Sequence, residues 1–174
     1  LKRLKDLGMR VVQFQQSKSF ADICAQFRRT GELLGLEERA EKIIRQMEKE
    51  VAAVSAAVAS QPRRKVFLQI GTQPLFGAAQ DSFTNDFITM GGGSNVLAEQ
   101  EHGTVNYEKV LAKDPEVIII AIMGSETGIA GQEQKRWQRF PITAVRKEQV
   151  HIVEPDLVCS PSPATFVEAL SLVA

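Results

Sequence analysis

The run from Glu32 to Ala59 (ELLGLEERAEKIIRQMEKEVAAVSAAVA) constrains the fold of this chain more than any other stretch. Apolar residues recur at Leu36, Ala40, Ile43, Met47, Val51, Val54 and Val58. Steps of three and four place them on one narrow stripe of a helix with 3.6 residues per turn. Glu38, Glu41, Arg45, Glu48 and Lys49 take the opposite face, where Glu38–Lys42 and Glu41–Arg45 have the spacing of helpful pairs. Neither Gly nor Pro interrupts the run between Gly35 and Pro62. At 1.5 Å per residue the helix would be about 35–40 Å long, beyond the usual three or four turns. By itself such a helix is either an arm of the coiled-coil kind or a connector, and the flanking sequence has to decide.

Before it, Leu1–Leu7 reads as a short helix stopped by Gly8 and Met9–Phe14 (MRVVQF) as a buried strand. Ser19 is placed to cap a helix from Phe20 to about Thr30, with Gly31 and Gly35 punctuating the approach to the long run. A helix feeding directly into a strand is the tail of an α/β unit. With no initiator Met, the chain reads as a piece of a longer protein whose first strands, and any secretion signal, lie upstream. After the linker Ser60–Arg64 the pattern changes. Lys65–Gly71 (KVFLQIG), Glu116–Met123 (EVIIIAIM) and Val150–Val153 (VHIV) read as strands. Between them Phe83–Met90, Tyr107–Lys113 and Gln132–Phe140 read as helices, and Pro163 or Ala164 opens a last one. The unbroken Val/Ile content of Glu116–Met123 is that of a central parallel strand covered on both faces. The expected fold class is α/β. A three-layer lobe with a mainly parallel sheet would occupy 62–174, preceded by a connecting helix over 32–61 and a remnant of a first α/β lobe over 1–31.

Charge narrows the functions. Of 174 residues, 21 are basic and 21 acidic, and no basic patch with interleaved aromatics marks a nucleic-acid face. No apolar run approaches the length of a membrane span. Cys24 and Cys159 lack metal-ligand spacing and read as ordinary thiols. The phosphate-binding and hydrolase signatures G-x-x-x-x-G-K-[ST], G-x-G-x-x-G, G-x-S-x-G and H-E-x-x-H are absent. His151 sits in a strand pattern and reads as structural, whereas His102 lies in a polar loop between Glu101 and Gly103. No catalytic residue, metal ligand or cofactor is assigned. In open α/β sheets ligands collect beyond the carboxyl ends of the strands. That directs attention to the loops Thr72–Asp81, Met123–Gly131 and Asp156–Ser162, and to the loop around His102. The expected ligand-binding residues are Gln73, Leu75, Phe76, His102, Met123, Leu157 and Ser160. This mixture suits a bulky, partly apolar ligand.

The order of these elements, with many short phrases, resembles the periplasmic substrate-binding proteins of ABC importers for vitamin B12, ferric siderophores and haem. The phrases include Leu34-Gly35, Lys65-Val66, Pro74-Leu75, Ser82-Phe83 with Asp86 and Ile88, Gly91-Gly92, Asn95-Val96, and Glu108 with Val110 and Leu111. Asp114-Pro115-Glu116-Val117, Trp137, Ala144-Val145 and Glu168-Ala169-Leu170 continue the series. The resemblance covers nearly the whole chain and implies two lobes joined by one long rigid helix, with an iron chelate or a corrinoid held between them. It implies an extracytoplasmic protein, periplasmic or lipid-anchored and peripheral to the membrane, that delivers ligand to a dimeric ABC permease. It also implies a permease-docking role for Glu108 and a ligand contact for His102. The family's Arg-Pro-Gly-Pro-Arg before the last helix is replaced by Ser160-Pro161-Ser162-Pro163-Ala164. Losing both arginines tilts the expectation toward a less anionic ligand such as a corrinoid. The alternative is a metal chelatase or another doubly wound α/β enzyme acting on a tetrapyrrole.

Overall fold

Gly35 divides the helical run. In the computed structural model, which describes residues 2–123 and 128–174, α1 (Lys2–Asp6) is followed by α2 (Phe20–Leu34) and α3 (Glu37–Val58). The Ser19 hydroxyl accepts from the Asp22 amide and caps α2. Gly35 ends α2 in the left-handed region, at φ 66°. The long helix therefore starts five residues later than the sequence pattern suggests and is about 33 Å long. Gly31 does not break a helix. It lies inside α2, where an added Cβ would stand 2.6 Å from Cβ of Ala40, so its role is to let α2 and α3 approach. The stripe of α3 is also corrected. Ile44 is fully buried and leads it, whereas Leu36 is 46% exposed. Arg28 reaches Glu41 across the two helices at 2.9 Å, and Glu41 also meets Arg45 at 3.3 Å. These exposed pairs are worth at most about 1 kcal/mol each.

Met9–Phe14 is not a strand. No ladder hydrogen bond reaches it, and Met9, Val12 and Phe14 are 56%, 43% and 40% exposed. β-branched and aromatic residues favour a strand only where a neighbouring strand supplies partners, and no strand among the described residues pairs with this segment.

The remaining elements are β1 (Lys65–Thr72), β2 (Leu75–Gly77), α4 (Phe83–Met90), β3 (Ser94–Asn95), α5 (Tyr107–Lys113) and β4 (Val117–Ile120). They are followed by α6 (Ile129–Trp137), α7 (Thr143–Arg146), β5 (Val150–Ile152), α8 (Pro155–Cys159) and α9 (Pro163–Val173). The sheet runs β2-β1-β4-β5, with β3 also paired to β1. β1, β3, β4 and β5 are parallel and only β2 is antiparallel. The expected loops Thr72–Asp81 and Asp156–Ser162 contain β2 and most of α8. β2 escaped notice because three residues show no period, and α8 because it is a single turn begun by a proline.

Alternation along the strands sends side chains to two cores. Val66, Leu68, Ile119 and Ala121 face one side, where Ile44 and Val51 of α3, Phe87 of α4 and Phe166 and Leu170 of α9 pack. The Phe166 ring stacks on Phe87 at 4.4 Å and lies 4.6 Å from Phe20 of α2. Phe67, Ile118 and Ile120 face the other side, against Val110 of α5, Trp137 of α6 and Ala144 of α7. Both faces of β1 and β4 are thus covered, which is why these strands read as continuous apolar runs. The result is the expected three-layer α/β arrangement with a mainly parallel sheet. No helix among the described residues is long and apolar enough to cross a membrane.

Candidate functional site

β1 and β4 end side by side, with Gln69 opposite Ile120, and β5 follows, with Ile152 also opposite Ile120. Their carboxyl ends form the edge at which an open sheet takes ligands. Gln73 is exposed there, in the turn between β1 and β2 whose Gln73–Pro74 bond is cis. Phe76 is 37% exposed on β2, and its ring lies over Gly103. The segment around Gly103 runs along the free side of β2. The Gly77 amide donates to the Gly103 carbonyl at 2.9 Å and the Val105 amide to the Leu75 carbonyl at 3.0 Å. Phe76 and the exposed His102 are thereby brought to one flank of the sheet. On the β4 side, Met123 is 59% exposed. The Cys159 thiol approaches the Ala121 carbonyl at 3.7 Å and ties α8 to the end of β4, so exposed Ser160 is near this part of the edge. Burial pushes the Cys159 thiol up from its ordinary value. Of the rest of the Met123–Gly131 loop, residues 124–127 lie outside the described residues, Gly128 caps α6, and Ile129–Gly131 are its first turn rather than loop.

Two of the expected ligand residues are placed differently. Leu75 is 4% exposed and packs into the core with Phe67 and Leu97, so it supports β2 and offers no surface to a ligand. Leu157 is half-buried on α8 against the first core. His151, read as structural, is exposed on β5. It borders a groove of about 560 Å³ with Arg64, Val66, Val117, Gln149 and Leu172. That groove lies where the strands begin, at the opposite end from the candidate site.

Sequence reasoning missed the most polar part of the interior. Glu133 of α6 is 3% exposed and Gln69 of β1 is fully buried. Gln69 Nε2 donates to Glu133 Oε2 at 3.0 Å, and the Tyr107 hydroxyl donates to the same oxygen. Arg136 meets Glu133 Oε1 at 2.9 Å and donates to the Tyr107 oxygen at 2.9 Å. Trp137 Nε1 donates to Gln69 Oε1 at 2.7 Å. Among the described residues, no buried side-chain polar atom lacks a partner. One signal was available: Gln69 is a polar side chain inside the otherwise apolar middle of β1, and the lone Trp137 needs an acceptor for its N–H.

Burial opposes ionisation of Glu133 and is the largest single influence on it. The hydrogen bonds from Tyr107 and Gln69, with the charge of Arg136, outweigh burial and hold the carboxyl below its ordinary 4.5. Burial first, and the Glu133 carboxylate second, raise the Tyr107 hydroxyl. A carboxyl whose folded value lies below its unfolded one stabilises fully above the unfolded value and loses that contribution as pH falls through the folded one. The melting temperature is therefore expected to decline as pH drops below about 4.5, and Glu133→Gln to flatten part of that decline. Parallel pH–melting curves for the two proteins would contradict this assignment.

A sequence profile described as periplasmic binding protein matches residues 2–157. A vitamin B12-binding protein of Salmonella choleraesuis is 27% identical over 158 residues, covering 90% of this chain and 59% of that relative. An uncharacterized ABC transporter substrate-binding lipoprotein of Bacillus subtilis is 24% identical over 169 residues, covering 94% of this chain and 52% of its own length. The chain thus spans about half the length of the curated relatives it matches. A crystal structure of a possible iron-binding periplasmic solute-binding protein from Staphylococcus epidermidis superposes with a TM-score of 0.83 at 23% identity. That superposition covers 99% of this chain and 67% of the other, and it establishes likeness of fold.

Proposed function

The chain belongs to the periplasmic binding protein family, and on that premise we propose that it is the C-terminal lobe and connecting helix of an extracytoplasmic substrate-binding protein. The protein captures a corrinoid or an iron chelate (siderophore or haem) without covalent chemistry and passes it to an ABC permease. Residues 62–174 are the lobe, α3 is the connector and 1–31 belong with the first lobe. The observation that carries the reading is the pairing of α3 with a parallel sheet whose carboxyl edge presents Gln73, Phe76 and Met123. A single stiff helix between lobes permits only small relative movement, unlike a hinge of crossing strands. The relatives are named as binding and transport proteins, which favours capture over a chelatase.

Glu108 is exposed in the first turn of α5, whose N-terminus is capped by Asn106 accepting from the Lys109 amide at 2.9 Å. A carboxylate held there can meet a permease arginine, and a second such point on the other lobe would fix orientation. The test is uptake into cells that depend on this gene. Deleting the gene is expected to abolish uptake of one chelate. Glu108→Ala is expected to lower uptake about tenfold while leaving chelate affinity within about twofold. Undiminished uptake by the variant would remove the docking role. Undiminished uptake of every corrinoid and iron chelate by the deletion strain would remove the import function.

A further inference from the structure

The buried carboxylate of Glu133 is used by nothing in the capture reading, yet its partners come from three separate elements. Gln69 belongs to β1, the strand that ends immediately before exposed Gln73. Tyr107 opens α5, immediately before Glu108. Arg136 and Trp137 lie on α6 with Glu133 itself, the helix that follows the loop at the end of β4. We propose that Glu133 is a positioning residue that fastens the ligand-facing end of β1 and the first turn of α5 to one helix. The binding edge and the docking glutamate then share a single support. The proposal rests on the capture-and-docking reading above.

The physical argument concerns geometry rather than net stability. Replacing a buried ion pair by apolar side chains is often neutral or stabilising, so a buried carboxylate is not explained by stability alone. Its hydrogen bonds are directional, and a fully satisfied network admits one arrangement of the elements that meet in it. Tyr107 is additionally fixed by its ring, 4.9 Å from Trp137 and stacked at 6.0 Å on Phe140, with Arg136 over its face at 5.4 Å. Removing only the hydroxyl would keep this packing and release the tie to Glu133. Gln69 is the corresponding tie on the β1 side.

Three variants separate the two arms, made in the product of the whole gene and assayed with its permease in membrane vesicles. The probe is whichever of cyanocobalamin, haemin or ferrioxamine B the wild-type protein binds most tightly. Tyr107→Phe is expected to raise the binding-protein concentration for half-maximal uptake about fivefold, with chelate affinity unchanged, as for loss of one hydrogen bond to a charged group. Gln69→Met is expected to do the reverse, weakening chelate affinity about fivefold while leaving the half-maximal concentration unchanged. Glu133→Gln is expected to shift both. A purely structural role would lower the melting temperature of all three variants and split neither readout. If wild-type protein binds and delivers the chelate but no variant separates affinity from delivery, the proposal is overturned and the capture reading stands. If wild-type protein binds none of the three probes, the capture reading falls first.

Discussion

Trp137→Ala is expected to remove about 3–5 kcal/mol of stability. Trp137 is fully buried and stands at the centre of the second core, with Tyr107 at 4.9 Å, Phe67 at 5.6 Å and Phe140 at 5.9 Å. Truncation would leave a cavity bounded by three rings and strip the Gln69 carbonyl of its donor. An unsatisfied buried acceptor costs a further 1–3 kcal/mol or so, not simply additive with the cavity. For a chain of this size, a loss near 4 kcal/mol corresponds to a melting point roughly 8–16 °C lower. Trp137→Phe keeps much of the ring packing and loses only the N–H, so its expected cost is about 1–3 kcal/mol. Trp137 is the single tryptophan, so unfolding in urea must be followed by circular dichroism rather than its fluorescence. A shift of the urea midpoint at unchanged slope is the expected signature. A loss below about 1 kcal/mol for the alanine variant would show that the second core does not depend on this residue.

The second large effect falls on a glycine at the flank of the candidate site. A Cβ on Gly103 would sit 2.2 Å from the Gly77 carbonyl oxygen and 2.6 and 2.8 Å from two atoms of the Phe76 ring. The carbonyl belongs to the backbone of β2 and cannot swing aside as a flexible side chain would. Gly103→Ala must therefore part the Gly77–Gly103 pairing, at an expected cost of about 2–3 kcal/mol. Because Phe76 and His102 are held together by this pairing, chelate affinity should fall in the same variant, by about tenfold or more. Gly131→Ala is the matched control. An added Cβ at Gly131 meets no heavy atom within 4 Å, and the change within α6 should be neutral or stabilising by about 0.5–1 kcal/mol. Equal melting temperatures for the two alanine variants would contradict the close-approach argument.

Features that repeat over many residues were legible in the sequence. The apolar run around Ile118–Ile120 and the strand Lys65–Thr72 are periodic or continuous enough to declare themselves. Ser19 carries local capping chemistry that needs no tertiary partner, and Pro163 opens the last helix as expected. What failed depended on neighbours. Met9–Phe14 has strand composition without a pairing partner. Gly31 looks like punctuation until Ala40 is seen against it. β2 is defined by its pairing with β1 and by the Gly103 segment, which lies far along the chain. For the same reason Leu75, read as a ligand contact, belongs to the core. Glu133 was invisible because a lone glutamate on a helix is ordinarily solvated. Only the convergence of Gln69, Tyr107 and Arg136 makes it exceptional.

The central claim, that this lobe helps to capture a bulky chelate at the carboxyl edge of its sheet, is tested most directly by calorimetric titration. The product of the whole gene is titrated with cyanocobalamin, haemin and a ferric hydroxamate, alongside its Phe76→Ala variant. The predicted result is saturable one-to-one binding of one ligand, weakened about tenfold by the substitution. Failure to bind any of the three, together with turnover of a tetrapyrrole, would contradict it.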